Sequence, residues 1–477
     1  MTAARTPLDA VVVGAGPNGL AAAIELARAG RRVRILEASA TVGGGSRSSA
    51  ELTLPGFVHD VCSTTHPLGV ASPFFRSLDL ARHGLAWVHP EVPLAHALTP
   101  DRAVLLERSI DATAAGLGSA GAGWRRLFAH VVAEHERLLP TILGPVVRVP
   151  RHPLLLARFG LPGLLPATTL ARRLLPSDEA AALFAGIAAH SMVALDRPLT
   201  GSFGLVLGLL AHAVGWPFAR GGSGRIAEAL EAEARSRGVE VVTGERITSM
   251  AQLPPARAVL FDLTPRQVLA IAGDRLPRGY RRQLSAFRYG PGVFKLDWAL
   301  EGPIPWTDAA AGRAGTVHVG GTATDVAASV AEVAAGRHPE RPFVIVVQPS
   351  IADPTRAPAG KHVGWAYCHV PNGSRVDMTA AIESQIERFA PGFRDRILAR
   401  HSMDATAMEA YDANYVGGDI AGGLTDWRQL IFRPVVRRDP YAIPGSTLFM
   451  CSSSTAPGAG VHGMSGMLAA RSALRRI

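Results

Sequence analysis

The chain has 477 residues, enough by length alone for two or three domains. It is 48% hydrophobic, its net charge is +10, and lysine stands only at 295 and 361, so the other 47 basic residues are arginines. No basic patch interleaved with aromatics appears, so no nucleic-acid partner is expected. No uninterrupted apolar run reaches the roughly 20 residues that span a bilayer. The longest candidate, Phe203 to Trp216, is too short and carries His212. The first strand starts near residue 9, which leaves no room for a signal or transit peptide, and a cytoplasmic location is expected. Cys62, Cys368 and Cys451 are isolated, with no CxxC pair. A redox dithiol and structural disulfides are therefore not expected, and the three thiols read as small buried apolar residues.

The opening residues 9–47 are the most informative. An apolar strand, Ala10 to Val13, runs into Gly14, Gly16 and Gly19. A helical pattern follows (Leu20, Ile24, Leu26, Ala27), then a second strand, Val33 to Leu36, ending in Glu37. This is the dinucleotide-binding βαβ unit in its required context. Gly14 makes the tight turn, Gly16 lets backbone approach a pyrophosphate, and Gly19 packs helix on strand. With Pro17 and Asn18 they form the loop at the helix N-terminus, whose N–H groups and partial positive charge favour phosphate. Glu37, with Ala38 beside it, is placed to accept hydrogen bonds from a ribose diol, which argues against a 2′-phosphate. Gly43 and Gly44 follow six and seven residues after the acid. That spacing resembles the FAD fingerprint of the glutathione-reductase and amine-oxidase superfamily. It implies that Gly43, Gly44, Gly45 and Ser46 meet the flavin side of the cofactor and that Arg47 reaches a phosphate.

Further along, PGFVHDVCSTTHPLGVASPFF occupies residues 55–75, and a hairpin is predicted at about 94–107 with its turn in ALTPDR. Residues 122–215 read as mainly helical, broken at Pro140, Pro150, Pro162, Pro166 and Pro176. Within them, residues 138–175 are rich in Leu, Pro and Arg, which fits either a surface resting on a membrane or an amphipathic cap over a substrate cavity. Gly221, Gly222, Ser223 and Gly224 then open a helix from Arg225 to Arg237. The strand Val239 to Thr243 leads to Ile247, and Ala258 to Leu263 is a further strand. Apolar runs at 291–300, 314–319, 342–348 and 362–370 read as strands of a second sheet. A helix is predicted from Thr379 to Phe389, and residues 446–477 read as strand, Gly-rich loop and helix.

Two more segments join the first. PGFVHDVCSTTHPL sits where flavin enzymes of this superfamily pass the isoalloxazine, and SSSTAPGAGVHGMSG resembles the C-terminal flavin loop of phytoene desaturases. With PFARGGSGRIAEAL at 217–230, the chain resembles the bacterial phytoene desaturase type of the FAD-dependent amine-oxidase superfamily. It is most similar to the branch named after a pyridine nucleotide-disulphide oxidoreductase domain-containing protein. DPTRAPAGKHVGWAYCHVP, RFAPGF and NYVGGDIAGG also fit that branch, so the likeness spans the chain. One departure is the short link from Ala251 to Ala258, where phytoene desaturases usually carry a hairpin.

The resemblance implies an α/β fold. A Rossmann-like FAD-binding domain would be discontinuous over 1–90, 217–275 and 405–477. A substrate domain of mixed sheet plus helices would use 91–216 and 276–404. It also implies FAD as cofactor, with Ile247, Thr455, Gly460, Val461, His462 and Met464 joining the residues above around it. The implied reaction is dehydrogenation, desaturation or flavin-assisted isomerisation of an apolar, lipid- or terpenoid-like substrate, by hydride transfer to flavin N5. An amine oxidase and a flavin-loaded interaction protein with little turnover are the alternatives. No second GxGxxG follows a strand, so no separate NAD(P)H domain is expected. Peripheral membrane contact and a homodimer are both compatible with the sequence.

Three residues carry candidate chemistry. Lys295 is retained in a chain that otherwise uses Arg; it would hold a water at flavin N5, as amine oxidases do in a comparable strand, or form a salt bridge with Asp297 on the same strand face. His66, before Pro67, is a candidate acid or base. His462 would stabilise the anion of reduced flavin or fix its own loop. His318, His362 and His369 lack partners at ligand spacing, so no metal is expected.

Overall fold

The structure, a computed structural model, describes residues 8–145 and 150–477. Residues 1–7 of the expected first FAD segment and 146–149 of the Leu/Pro/Arg segment lie outside the described residues.

The chain begins with β1 (Leu8–Val13), α1 (Pro17–Arg28) and β2 (Val33–Leu36), and the short α2 (Pro67–Ala71) precedes the hairpin β3 (Val92–Thr99) and β4 (Arg102–Leu106). The helical segment includes α3 (Pro153–Gly163), α4 (Ala167–Leu174) and α5 (Thr200–Ala213). Then come α6 (Gly224–Ser236), β5 (Glu240–Val242) and β6 (Ala256–Phe261). β7 (Gly292–Leu300), β8 (Ala314–Val319), β9 (Val344–Val347), β10 (His362–Val370) and β11 (Ile397–Met403) follow. The chain closes with α7 (Ala405–Tyr411), β12 (Leu448–Met450) and α8 (Met464–Leu474).

Two sheets organise these elements. The first is parallel, in the order β12-β6-β1-β2-β5, with Val12 opposite Ile35 and Leu260, and Phe261 opposite Met450. Helices cover both faces of such a sheet, which is why β1 and β6 are apolar without alternation. On one face α1 and α8 pack against each other, and α8 also reaches β6 and β12. The two helices meet closely at Gly466, where a Cβ would fall 1.8 Å from the Asn18 carbonyl oxygen. Glycine is required there by the approach of backbone to backbone.

The second sheet has seven strands, in the order β11-β7-β10-β9-β8-β3-β4, antiparallel except for the β8–β3 pair. Its side chains divide between the two faces. Phe294, Leu296, Trp298, Val317, Val346, Ala366 and Cys368 pack with Ile382, Ile386 and Phe393 on one face. Leu94, Val293, Ile345, Val347, Trp365 and Tyr367 face the other way, into the main core shared with the first sheet. The period of two in a strand thus decides which residues look toward the nucleotide-binding sheet.

The expected breaks at Pro150, Pro166 and Pro176 fall between helices, but Pro140 and Pro162 lie inside them. A proline removes one N–H and strains one turn without having to end a helix; Pro162 falls in the last turn of α3, where little helix remains to disrupt. Among the described residues no single helix is long and apolar enough to cross a membrane, and α3 and α4 reach that length only as a pair bent by 99°.

Candidate functional site

Two cavities run together over the N-terminal end of α1. They share Gly16, Gly44, Asp262, Asp412 and Asn414. The smaller, of about 70 Å³, ends between β2, residues 245–247 and the end of α7. The larger, of about 320 Å³, extends to the inward face of the second sheet.

At the small end Glu37 and Ala38 follow β2 into the wall, opposite Ile247. Glu37 Oε2 accepts the Ala15 N–H at 2.7 Å, and Oε1 accepts the Ser39 N–H at 2.8 Å and an Arg47 N–H at 3.1 Å. A carboxylate offers about four acceptor positions, so one lone pair is left for a ribose hydroxyl. Arg47 is also bonded to the Thr41 carbonyl and stands 5.5 Å from the centroid of Tyr411. Its guanidinium is thus held beside Glu37, in the wall of the smaller cavity. The acid at the strand end had a claim on its charge that spacing alone did not reveal.

In the middle, Gly14, Gly16, Pro17 and Asn18 line the passage where α1 begins. A Cβ on Gly44 would stand 3.3 Å from the Gly16 Cα, and one on Gly45 would fall 1.9 Å from the Tyr415 hydroxyl. These glycines keep the passage open. Asn18 is buried, and its Oδ1 has no hydrogen-bond partner. Asp262, which follows β6, reaches the same place, and its Oδ2 accepts the Gly19 N–H at 2.9 Å. Burial, with Asp412 and Glu37 adding negative charge, pushes this carboxyl up to about 8 against the pull of the Gly19 N–H.

The large chamber is floored by Thr316, Ile345, Val347, Trp365 and Tyr367 from β8, β9 and β10. Trp365 and Tyr367 stand edge to face with centroids 5.3 Å apart. Trp216, Met192, Ile420 and Ala421 add apolar wall, and Gly44, Gly45, Ser46, Gly460 and Val461 close the side nearest α1. His190 also faces the chamber, with its Nε2 3.0 Å from Nε2 of His318. Burial pushes His190 down to about 3, so the ring is neutral.

None of the three candidate catalytic residues lines this chamber. Lys295 does not line the chamber: its Nζ pairs with Asp297 inside the core, 5.7 Å from the centroid of Trp365. The salt-bridge alternative is the geometry found. His66 does not line it either. Its Nε2 lies 2.9 Å from the Ser223 hydroxyl, whose own proton goes to the Ser63 carbonyl, so His66 carries its proton on Nε2 and donates it. That bond ties α2 to the start of α6, and burial pushes His66 down to about 4. His462 lies ahead of α8, not within its first turn; Gly463 is the cap, and His462 Nδ1 accepts the Met464 N–H at 3.0 Å. His462 fixes its loop. Gly19, Gly43, Thr455 and Met464 are likewise not in the cavity walls: the Gly43 N–H goes to the Ala15 carbonyl, and the Thr455 hydroxyl goes to the Ser452 carbonyl at 2.7 Å. Ser452 and Ser453 line the chamber in place of Thr455.

Asp262, Asp412, Asn414, Tyr411 and Tyr415 carry no local signature in the sequence. They reach the site because β6 lies beside β1 and because α7 ends over the Gly44 turn. Asp60, which carries no signature in the sequence, holds four segments together. Its oxygens take Ser48 Oγ at 2.7 Å, Thr64 Oγ1 at 2.5 Å, the Ser223 N–H at 2.7 Å and Arg356 Nη2 at 2.7 Å. Among the described residues no three His, Cys, Asp or Glu side chains are grouped to hold a metal ion.

The passage suits a dinucleotide: glycines where backbone must approach phosphate, an acid at the end of β2, and an orphaned buried amide at Asn18. The fold and site together define a dinucleotide-binding protein of the Rossmann type, joined to a second mixed sheet. Residues 12–79 match the NAD(P)-binding Rossmann-like domain family. The chain is similar to the pyridine nucleotide-disulfide oxidoreductase domain-containing protein 2 of Rattus norvegicus, 26% identical over 98% of this chain and 93% of the relative. Its fold is that of an oxidoreductase from Methanosarcina mazei (TM-score 0.67, 17% identity, 98% of this chain and 100% of that one). It is also that of a putrescine oxidase solved with putrescine (TM-score 0.63, 16% identity, 98% of each chain).

Proposed function

We propose that the protein is an FAD-dependent oxidoreductase that dehydrogenates, desaturates or isomerises an apolar, lipid- or terpenoid-like substrate. The observation that carries this reading is the continuity of the nucleotide passage with a chamber walled by Met192, Trp216, Ile345, Val347, Trp365, Tyr367 and Ile420. Bound in the passage, FAD supplies a hydride acceptor at N5. The chain supplies the rest. Glu37 and the N-terminus of α1 hold the nucleotide end. The aromatic floor orients an apolar molecule and keeps water out. The buried neutral His190 adds a polar edge to the apolar side of the chamber. The test is anaerobic mixing of the purified flavoprotein with lipophilic donors of graded unsaturation. Bleaching of the flavin by such donors, and not by small polar compounds, is the expected result.

A second reading is amine oxidation. It is favoured by the aromatic floor, since Trp and Tyr faces attract cations, and by the fold shared with putrescine oxidase. Bleaching by small amines and not by lipophilic donors would select it.

A further inference from the structure

We propose that Asp262 is a proton-bearing ligand of the dinucleotide's phosphates, so that binding the nucleotide above neutral pH takes up one proton. The inference rests on the reading that a dinucleotide occupies this passage, and it concerns how the chain accommodates the phosphate charge.

The geometry is specific. Asp262 lines both cavities at their junction, the only acid besides Asp412 to do so among their walls. Its Oδ2 already accepts the Gly19 N–H, and a Cβ on Gly16 would fall 2.7 Å from that oxygen. A carboxylate of the chain therefore sits on the end of α1 that attracts anions. At the same spot the Asn18 amide oxygen is buried without a partner, an acceptor that a hydroxyl or N–H of the dinucleotide, and not its phosphate, would satisfy.

A phosphate diester brings acceptors and negative charge. Two anionic oxygens do not share one dry site unless a proton lies between them. The neutral acid resolves the conflict: Oδ2 keeps the Gly19 N–H, while a proton on Oδ1 is donated outward. The surroundings favour that form. The groups that face Asp262 are Glu37 at the end of β2, Asp412 after α7 and Cys451 after β12, and none is cationic. From α1 it meets only backbone N–H groups. Arg47 and Arg246 act on Asp412. Burial among these groups holds the Asp262 carboxyl near 8 before any ligand enters, and phosphate raises it further.

The sign follows. Below about pH 8 the acid form is already present and Asp262 adds no pH dependence to binding. Above it the free protein must gain a proton to bind, so Kd rises up to about tenfold per pH unit. The test titrates apoprotein with FAD and, separately, with ADP, between pH 7.5 and 9.5. Proton uptake is read by calorimetry in two buffers of different ionisation enthalpy. The expected result is a Kd flat to about pH 8 and then weakening, with uptake approaching one proton, for both ligands. Asp262→Asn should bind with no such dependence and more tightly than the native protein at pH 9.5. Should Asp262→Asn not fold, the two-buffer measurement on the native chain still decides. Binding without proton uptake, or an unchanged pH profile in Asp262→Asn, would overturn the proposal. Binding of ADP with proton uptake but no binding of FAD would leave Asp262 in this role and overturn the FAD reading. If neither ligand binds, both fall.

Discussion

Lys295 and Asp297, two residues apart on β7, form an ion pair that is fully enclosed, with side chains 1% and 0% exposed. Asp297 is also approached by Nδ1 of His59 at 3.7 Å and Nδ1 of His401 at 3.5 Å. Burial alone would raise the Asp297 carboxyl, but Lys295 and the flanking histidines bring it below its usual range.

Removing one partner of such a pair leaves an uncompensated buried charge. Lys295→Met should therefore destabilise the fold by about 3–5 kcal/mol, with Asp297→Asn costing a similar amount. Lys295→Arg should recover only part of this, because a planar fork does not fit a place shaped for a compact ammonium. A double-mutant cycle on denaturant midpoints should give a large coupling energy. Unchanged stability in Lys295→Met, with slowed reaction of the flavin with oxygen, would instead restore the role of a water-holding lysine.

Gly16→Ala should keep the fold and lose the nucleotide. Gly16 has φ −67°, which any residue adopts, but its added Cβ would meet Asp262 Oδ2 at 2.7 Å where the two cavities join. Melting curves close to native, with nucleotide affinity reduced at least about tenfold, are the expected pair of results. A fully retained affinity would show that the passage is not where phosphate lies.

Asp60 pairs with Ser48 on a two-residue strand and should matter more than so short an element suggests. Burial opposes its charge, but Arg356, Thr64 and the Ser223 N–H outweigh that and hold the carboxyl down to about 2. Its folded value lies below the unfolded one, so its contribution is present above about pH 4 and lost as pH falls toward 2. At neutral pH, Asp60→Asn leaves Arg356 buried without its counter-charge, at a cost of about 3–5 kcal/mol. Chemical denaturation at pH 7 measures this directly.

Stability should begin to fall well before that acid range. Burial pushes His59, His66, His96, His212, His369 and His462 down to about 4 and His190 to about 3. The unfolded chain protonates these rings near pH 6.5 and the folded chain does not. The unfolded state then binds more protons, and stability drops as pH falls from about 6.5 to 4. Each ring contributes up to about 1.4 kcal/mol per pH unit. Melting temperatures between pH 7.5 and 5 should decline steeply below 6.5; a flat profile would contradict the burial of these rings as neutral groups.

Much of this architecture is legible locally. The run from Ala10 to Glu37 announces strand, phosphate turn, helix and ribose acid because each step depends on neighbouring residues. The strands at 291–300, 314–319 and 362–370 are legible from their apolar character, and the structure has them at 292–300, 314–319 and 362–370. What the sequence hides is which side chains meet across distance. Asp262 gives no sign that it touches Gly19, 243 residues away. His66 and His462 look like chemistry because they lie near flavin-type motifs, yet each spends a ring nitrogen on its own scaffold. Lys295 stands out by rarity, but only the register of β7 against β10 shows that Lys295 and Asp297 lie on the same face as Tyr367 and Trp365, where the ion pair of Lys295 with Asp297 keeps it out of the chamber wall.

The central claim is that the passage over α1 holds FAD, bound without a covalent link. The most direct measurement is the cofactor content of the purified protein: absorbance of the native sample, then release by acid or heat and identification by mass spectrometry. The expected result is a yellow protein that releases FAD intact, near one molecule per chain. A colourless protein that also fails to bind added FAD would contradict the account.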